Sequence, residues 1–352
     1  MFCMSKRALL ISFLVLALVS TGLVAPRLLS RSSMTPEQVR AAFMRCAPQF
    51  SKEDPVVPVA QRDCMVDVMF SFYEQGHNVE LWEAIRQQEF DAPYFYFPCH
   101  HVLHRVGERA YARYKDMVSL ILDNNSDVCG TAFIMGGLDA FGAEKPTIEE
   151  FTAVARACES MYGEGFATRL RGMCEHSTGH VAWKSTLDVR SAAERCATLR
   201  SEAGQLACGD GVVMQVYQPA NGEATIPLEE AYDGLEKFCS DWPDIGKTRL
   251  GCYGGAGYIY ARQLYAYDLE VRANTEKEGV LSPEHRAGLL KRAMFVVDKC
   301  RSHKWEPGVD KCLRRAAWAI PGSVFWDTSL IEEICANYGQ YKDNCLAYEE
   351  SF

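Results

Sequence analysis

Apolar residues return along this chain every three or four positions, the period of a helix. In IEEFTAVARAC, Phe151, Val154, Ala155 and Cys158 draw one apolar stripe down a helical face. Strand signals are scarce and helix starts are frequent. Thr35-Pro36-Glu37 sets a capping hydroxyl before a proline at the first helical position, and Ser282-Pro283-Glu284 repeats it. Thr147-Ile148-Glu149-Glu150 fits a capping box. Such starts predict helices that run to a cysteine: PEQVRAAFMRC to Cys46, IEEFTAVARAC to Cys158 and PEHRAGLLKRAMFVVDKC to Cys300. VRSAAERC, to Cys196, and PLEEAYDGLEKFC, to Cys239, behave alike.

A second class of predicted helix opens at a cysteine: Cys64, Cys99, Cys129, Cys174, Cys208, Cys252 and Cys312. These segments are richer in glycine, aromatic and apolar residues. Each glycine inside a helix costs about 1 kcal/mol against alanine. Gly136, Gly137, Gly179, Gly211, Gly254, Gly255 and Gly257 therefore make sense where helix backbones approach closely. The simplest assembly is an all-α array of helical hairpins in which a charged outer helix leads through a loop to a glycine-rich inner helix. No sharp boundary divides residues 34–352, which read as one domain. The hairpins would curl into an α/α toroid whose inner helices line a cavity, or stack as a curved superhelix; an irregular bundle is the plain alternative. The spacing of the inner starts is irregular and carries no tetratricopeptide or ankyrin signature.

Fifteen cysteines change the picture. Cys3 precedes an uncharged stretch, Ala8 to Pro26, that follows Lys6 and Arg7. That stretch is just long enough for a transmembrane helix, which needs about 20 residues. Residues 1–33 read as an uncleaved signal anchor, with a cleaved secretory leader as the alternative. Either one exports the body to a periplasmic, luminal or extracellular space. The other fourteen cysteines then form a disulfide framework. Their spacing suggests neighbour pairing: Cys46–Cys64, Cys99–Cys129, Cys158–Cys174, Cys196–Cys208, Cys239–Cys252, Cys300–Cys312 and Cys335–Cys345. The absence of any CxxC excludes zinc knuckles, thioredoxin-like redox sites and c-type haem attachment. Asn124-Asn125-Ser126 is a glycosylation sequon.

The net charge is -9, and the first 33 residues hold four basic residues and no acidic one. An acidic body without a basic cluster argues against nucleic acid and against docking on anionic lipid. The expected partners are the membrane, through the N-terminal helix, and a small molecule or a protein.

Five of the eight histidines fall in two clusters, His100, His101 and His104, then His176 and His180. His100 and His104 are four apart, as are His176 and His180, a spacing that stacks two imidazoles on one helix face within reach of one metal ion. Glu108 continues the first face, and Glu175 neighbours His176. These four histidines are the expected ligands of zinc, copper or iron, with His101, Glu108 and Glu175 as supporting groups or alternates. A metal-free acid–base site, His104 with Glu108 or His180 with Asp139, is the competing chemistry. Hydrogen bonds that merely brace the inner helices are the bland reading. His77, His285 and His303 stand alone and read as surface residues. No GxSxG elbow, HExxH, P-loop or EF-hand loop occurs. Most aromatic residues, including Tyr253, Tyr258 and Tyr260, read as core. The expected function is metal-dependent chemistry on a small molecule or exported peptide. A protein-interaction scaffold and a metal carrier without turnover are the alternatives.

Overall fold

A computed structural model describes residues 34–46, 58–92, 95–124, 126–161, 166–217, 228–261, 282–323 and 328–346. The predicted signal anchor, residues 1–33, lies outside the described residues, as do Cys3 and Tyr94. The described chain is helical and carries no strand. The helices are α1 Pro36–Met44, α2 Val59–Glu74, α3 Asn78–Asp91, α4 Tyr96–Tyr114, α5 Met117–Asp123, α6 Val128–Ala143, α7 Ile148–Glu159 and α8 Phe166–Thr186. They continue as α9 Val189–Cys196, α10 Glu202–Tyr217, α11 Leu228–Ser240, α12 (residues 248–261), α13 Pro283–Arg301, α14 Glu306–Ser323, α15 Thr328–Ala336 and α16 Lys342–Leu346. None of the described helices is long and apolar enough to cross a membrane.

The predicted caps form. The Thr35 hydroxyl accepts from the Gln38 backbone N–H and the Gln38 side chain returns to Thr35 N–H, closing a capping box on α1. Thr147 and Glu150 do the same for α7, and Ser282 with Pro283 starts α13. Each cap satisfies backbone donors that a helix start leaves open, typically worth about 1 kcal/mol.

All seven neighbour disulfides are present. Cys158–Cys174, Cys196–Cys208, Cys239–Cys252 and Cys300–Cys312 each join an outer helix to the inner helix that follows. Cys99–Cys129 differs, because it ties two inner helices, α4 and α6. Between them run only α5 and a left-handed turn at Cys129, Gly130 and Thr131. The inner helices do not generally open at their cysteines. α8 starts eight residues before Cys174, and α10 six before Cys208. A staple one or two turns inside a helix leaves the connecting loop short.

Inner helices meet in chain order: α2 packs on α4, α4 on α6, α6 on α8 and α8 on α10. Glycines set how closely. A Cβ on Gly107 would stand 1.9 Å from the Phe133 carbonyl oxygen, and one on Gly136 only 1.8 Å from that of His104. The crossing of α8 and α10 repeats the pattern, with Gly179 against the Cys208 carbonyl at 2.1 Å and Gly211 against that of His176 at 1.9 Å. α10 and α12 repeat it again through Gly209 on Thr248 and Gly251 on Leu206, both at 2.3 Å. In every case the opposing carbonyl lies three residues before the facing glycine. Backbones this close leave no room for any side chain, the geometry that favours weak Cα–H···O contacts. α6 and α10 accordingly bury residues around most of their circumference.

Two surface expectations, His77 and His303, fail, and the sequon is buried. Asn124 of the sequon is 1% exposed, and its Nδ2 donates to the Tyr73 hydroxyl and to the Leu120 carbonyl. The atom a glycan would need is thereby committed to the core. His77 is buried at the start of α3 with its ring edge-on to Phe72. His303 is buried between Tyr253 and Tyr260, and neither ring nitrogen has a hydrogen-bond partner among the described residues. Burial pushes its pKa down to about 4. The unfolded chain takes up this proton near pH 6.5 and the folded chain does not, so stability falls as pH drops from about 6.5 to 4. We expect His303 to account for about 2–3 kcal/mol of that loss. Urea titrations at the two ends of this window check it: His303→Phe should flatten the difference, and an unchanged pH slope would contradict it.

Candidate functional site

One buried line of polar groups crosses the inner helices. It starts on α4, where His104 Nδ1 lies 3.3 Å from Glu108 Oε1 and Nε2 lies 3.0 Å from Asp139 Oδ2 on α6. The other oxygen of Asp139 accepts from Lys184 of α8 at 2.5 Å and stands 3.8 Å from His180 Nδ1. His180 Nε2 faces His176 Nε2 at 3.3 Å, one turn back on α8. His176 Nδ1 then lies 3.1 Å from Asp210 Oδ1 on α10, and Asp210 Oδ2 accepts from Arg315 Nε of α14 at 2.9 Å. The glycine crossings explain how such short side chains span neighbouring helices. The carbonyl pressed against Gly136 is that of His104, and the one pressed against Gly211 is that of His176. At α14 the pattern breaks: Gly257 abuts the Cys312 carbonyl, but Arg315 occupies the place of the reciprocal glycine and reaches Asp210 instead.

Charge is arranged in alternation. Burial opposes ionising His104, but the carboxylates of Asp139 and Glu108 outweigh it and lift the imidazole to about 9. Burial would raise Asp139, yet His104, His180 and Lys184 hold it well below the usual carboxylate range. Burial would likewise raise Asp210, and Arg315 with His176 brings it to about 2. Burial pushes the His180 pKa down, against the pull of Asp139. Lys311 sits close by, lowered by burial to about 8.

The central pair has a specific chemical problem. Carboxylates only accept, so they favour a hydrogen on each Nδ1, but His180 Nδ1 is 3.8 Å from Asp139 and His176 Nδ1, 3.1 Å from Asp210, lacks hydrogen-bond geometry. A neutral ring so arranged has a bare lone pair on Nε2. Two such lone pairs at 3.3 Å repel unless a shared cation lies between them, whereas a hydrogen on either Nε2 makes the contact an ordinary hydrogen bond.

The two histidine clusters thus meet, but through a carboxylate: His104 and His180 lie on opposite oxygens of Asp139. Both nitrogens of His104 face carboxylates, and His100 Nδ1 donates to the Cys129 carbonyl at 2.9 Å, with the two rings 6.3 Å apart. His101 is exposed, with its ring edge-on to His100. Glu108 braces His104 and accepts from Arg105. Glu175 takes no part, lying instead in a cleft beside Arg171. Among the described residues, no three His, Cys, Asp or Glu side chains converge as a ready-made metal site. Lys184, Asp210 and Arg315 escaped the sequence reading. Their signal was present: charged residues inside otherwise apolar segments, glycine-rich in CGDGVVMQVY and alanine-rich in CLRRAAWAI.

No protein-family model, curated protein or solved structure matches this chain.

Proposed function

We propose that this is an exported helical-hairpin protein that holds one transition-metal ion between the Nε2 atoms of His176 and His180. A single observation carries the reading: two imidazole nitrogens face each other at 3.3 Å while the far edge of each ring rests toward a buried carboxylate. Two nitrogens bound tetrahedrally at about 2.0–2.1 Å from zinc stand about 3.3 Å apart. Carboxylates behind ligating histidines orient the ring and raise its basicity, the role that fits Asp210 and Asp139. Zinc, copper and iron all accept imidazole. His100 and His104 fall outside this proposal, because carbonyl and carboxylate groups already hold them.

Carriage or structural use of the ion fits better than turnover. A catalytic ion keeps an open position for substrate, whereas His176 is 2% and His180 7% exposed. The order of contacts along the inner helices supports an open superhelix over a closed ring. The disulfides support an oxidising compartment, with residues 1–33 as the anchor or leader that takes the chain there.

Metal titration tests the proposal. Apo protein from an oxidising compartment should bind one Zn²⁺ or Co²⁺ per chain. His176→Gln and His180→Gln should each weaken binding by about 100-fold or more, and Asp210→Asn by about tenfold. His100→Gln should leave it unchanged. Absence of stoichiometric binding would overturn the proposal. It would leave a proton shared by the two imidazoles, inside a framework better read as an interaction scaffold.

A further inference from the structure

A second polar feature lies apart from the imidazole pair, and no metal is involved in it. A cleft of about 240 Å³ opens between α7, α8 and the start of α10, lined by Arg156, Glu159, Arg171, Glu175, Arg200 and Ser201 among others. Glu159 is spent on the fold: its Oε1 accepts the backbone N–H groups of Arg200 and Ser201 ahead of α10. Glu175 is 1% exposed; Ser201 hydrogen-bonds its carboxyl group, and its Oε1 is buried with no hydrogen-bond partner among the described residues. One turn earlier, Arg171 Nε forms an ion pair with that oxygen at 3.6 Å, too long for a hydrogen bond, and makes no hydrogen bond among the described residues. The exposed guanidiniums of Arg156 and Arg200 flank the cleft with no ion-pair partner among the described residues.

We infer that this cleft binds a small hydroxylated oxyanion. Leaving a buried donor and a buried acceptor unsatisfied costs about 1–3 kcal/mol each. A hydroxyl is the smallest group that satisfies both, because it donates to Glu175 Oε1 and accepts from Arg171 Nε–H. At the rim, two guanidiniums match a carboxylate or phosphate group, with charge and geometry suited to paired hydrogen bonds. The basic patch is local on a chain of net charge -9, so it suits a small anion rather than a polyanion. Its size fits a three- or four-carbon hydroxy acid or sugar phosphate.

Isothermal titration with four probes tests this: glycerol 3-phosphate, glycerate, inorganic phosphate and glycerol. We expect glycerol 3-phosphate or glycerate to bind with a Kd below about 1 mM, at least tenfold tighter than inorganic phosphate, with no measurable binding of glycerol. Whichever of the first two binds tighter identifies the head group. The double variant Arg156→Ala/Arg200→Ala, both at exposed positions, should weaken binding by tenfold or more. Glu175→Met, which removes the acceptor, should erase the preference over inorganic phosphate while keeping affinity for the bare anion. Three results would each overturn the inference: no saturable binding, neither glycerol 3-phosphate nor glycerate binding more tightly than inorganic phosphate, or binding unaffected by loss of both arginines. Failure of metal binding at His176 and His180 leaves these readouts untouched, so the two ideas fail separately.

Discussion

Asp210→Ala will destabilise the folded chain by about 3–5 kcal/mol, the cost of breaking a buried ion pair from one side. Asp210 is buried on α10 with one oxygen 2.9 Å from Arg315 Nε and the other 3.1 Å from His176 Nδ1. Lys311 adds a third basic group nearby. Removing the carboxylate leaves that positive charge in an apolar interior without its counterweight. The cost exceeds the Coulomb energy of the contact, because water cannot reach the site to compensate. Asp210→Asn keeps the shape and one acceptor, so it should cost less than alanine. The contrast is Arg86→Ala: Arg86 contacts Glu83 and Asp127 on the surface, where ion pairs contribute about 0–1 kcal/mol. Urea denaturation with disulfides intact measures all three. A loss below about 1 kcal/mol for Asp210→Ala would show that the polar line is not a structural element.

Gly211→Ala should cost about 3 kcal/mol or more, although alanine is the better helix former. The new Cβ would fall 1.9 Å from the His176 carbonyl oxygen, and backbone on both sides leaves nothing flexible to yield. α8 and α10 must move apart, which opens the packed interior and draws His176 away from Asp210. Gly234→Ala provides the opposite expectation. Its Cβ would meet the Tyr217 hydroxyl at 3.4 Å, an ordinary contact, so the helix-propensity gain of about 1 kcal/mol should appear as neutral or higher stability. Thermal and urea unfolding of the two variants side by side check the pair. Equal effects would mean that the crossings tolerate separation.

The histidine pairs show where reading the chain stops. Four-residue spacing was enough to place His176 and His180 on one face of α8, because helix geometry alone dictates it. The same spacing placed His100 and His104 together, yet His104 is occupied by Asp139 and Glu108. No local rule foresees that an aspartate 35 positions away will take the ring, since that depends on where α6 crosses α4. Asp210 and Arg315 are a stronger case, being 105 residues apart in the chain. His303 and His77 were misjudged for the same reason: isolated polar residues carry no sign of burial until their neighbours are packed.

Local chemistry did decide a great deal. Capping hydroxyls and prolines located α1, α7 and α13, since the first turn of a helix needs those donors satisfied by nearby residues. Separations of 10 to 18 residues favoured neighbour pairing for six of the seven staples, whereas Cys99–Cys129 spans 30 residues and a whole helix, so its pairing rests on how α4 and α6 pack. The glycines announced close helix contact, because nothing else accounts for their cost in a helix. Which carbonyl each glycine meets, and therefore which side chains line up into one buried row of alternating charge, was settled only by the assembled helices. Contacts between distant segments depend on crossing angle and register, and those emerge from the packing of the whole interior.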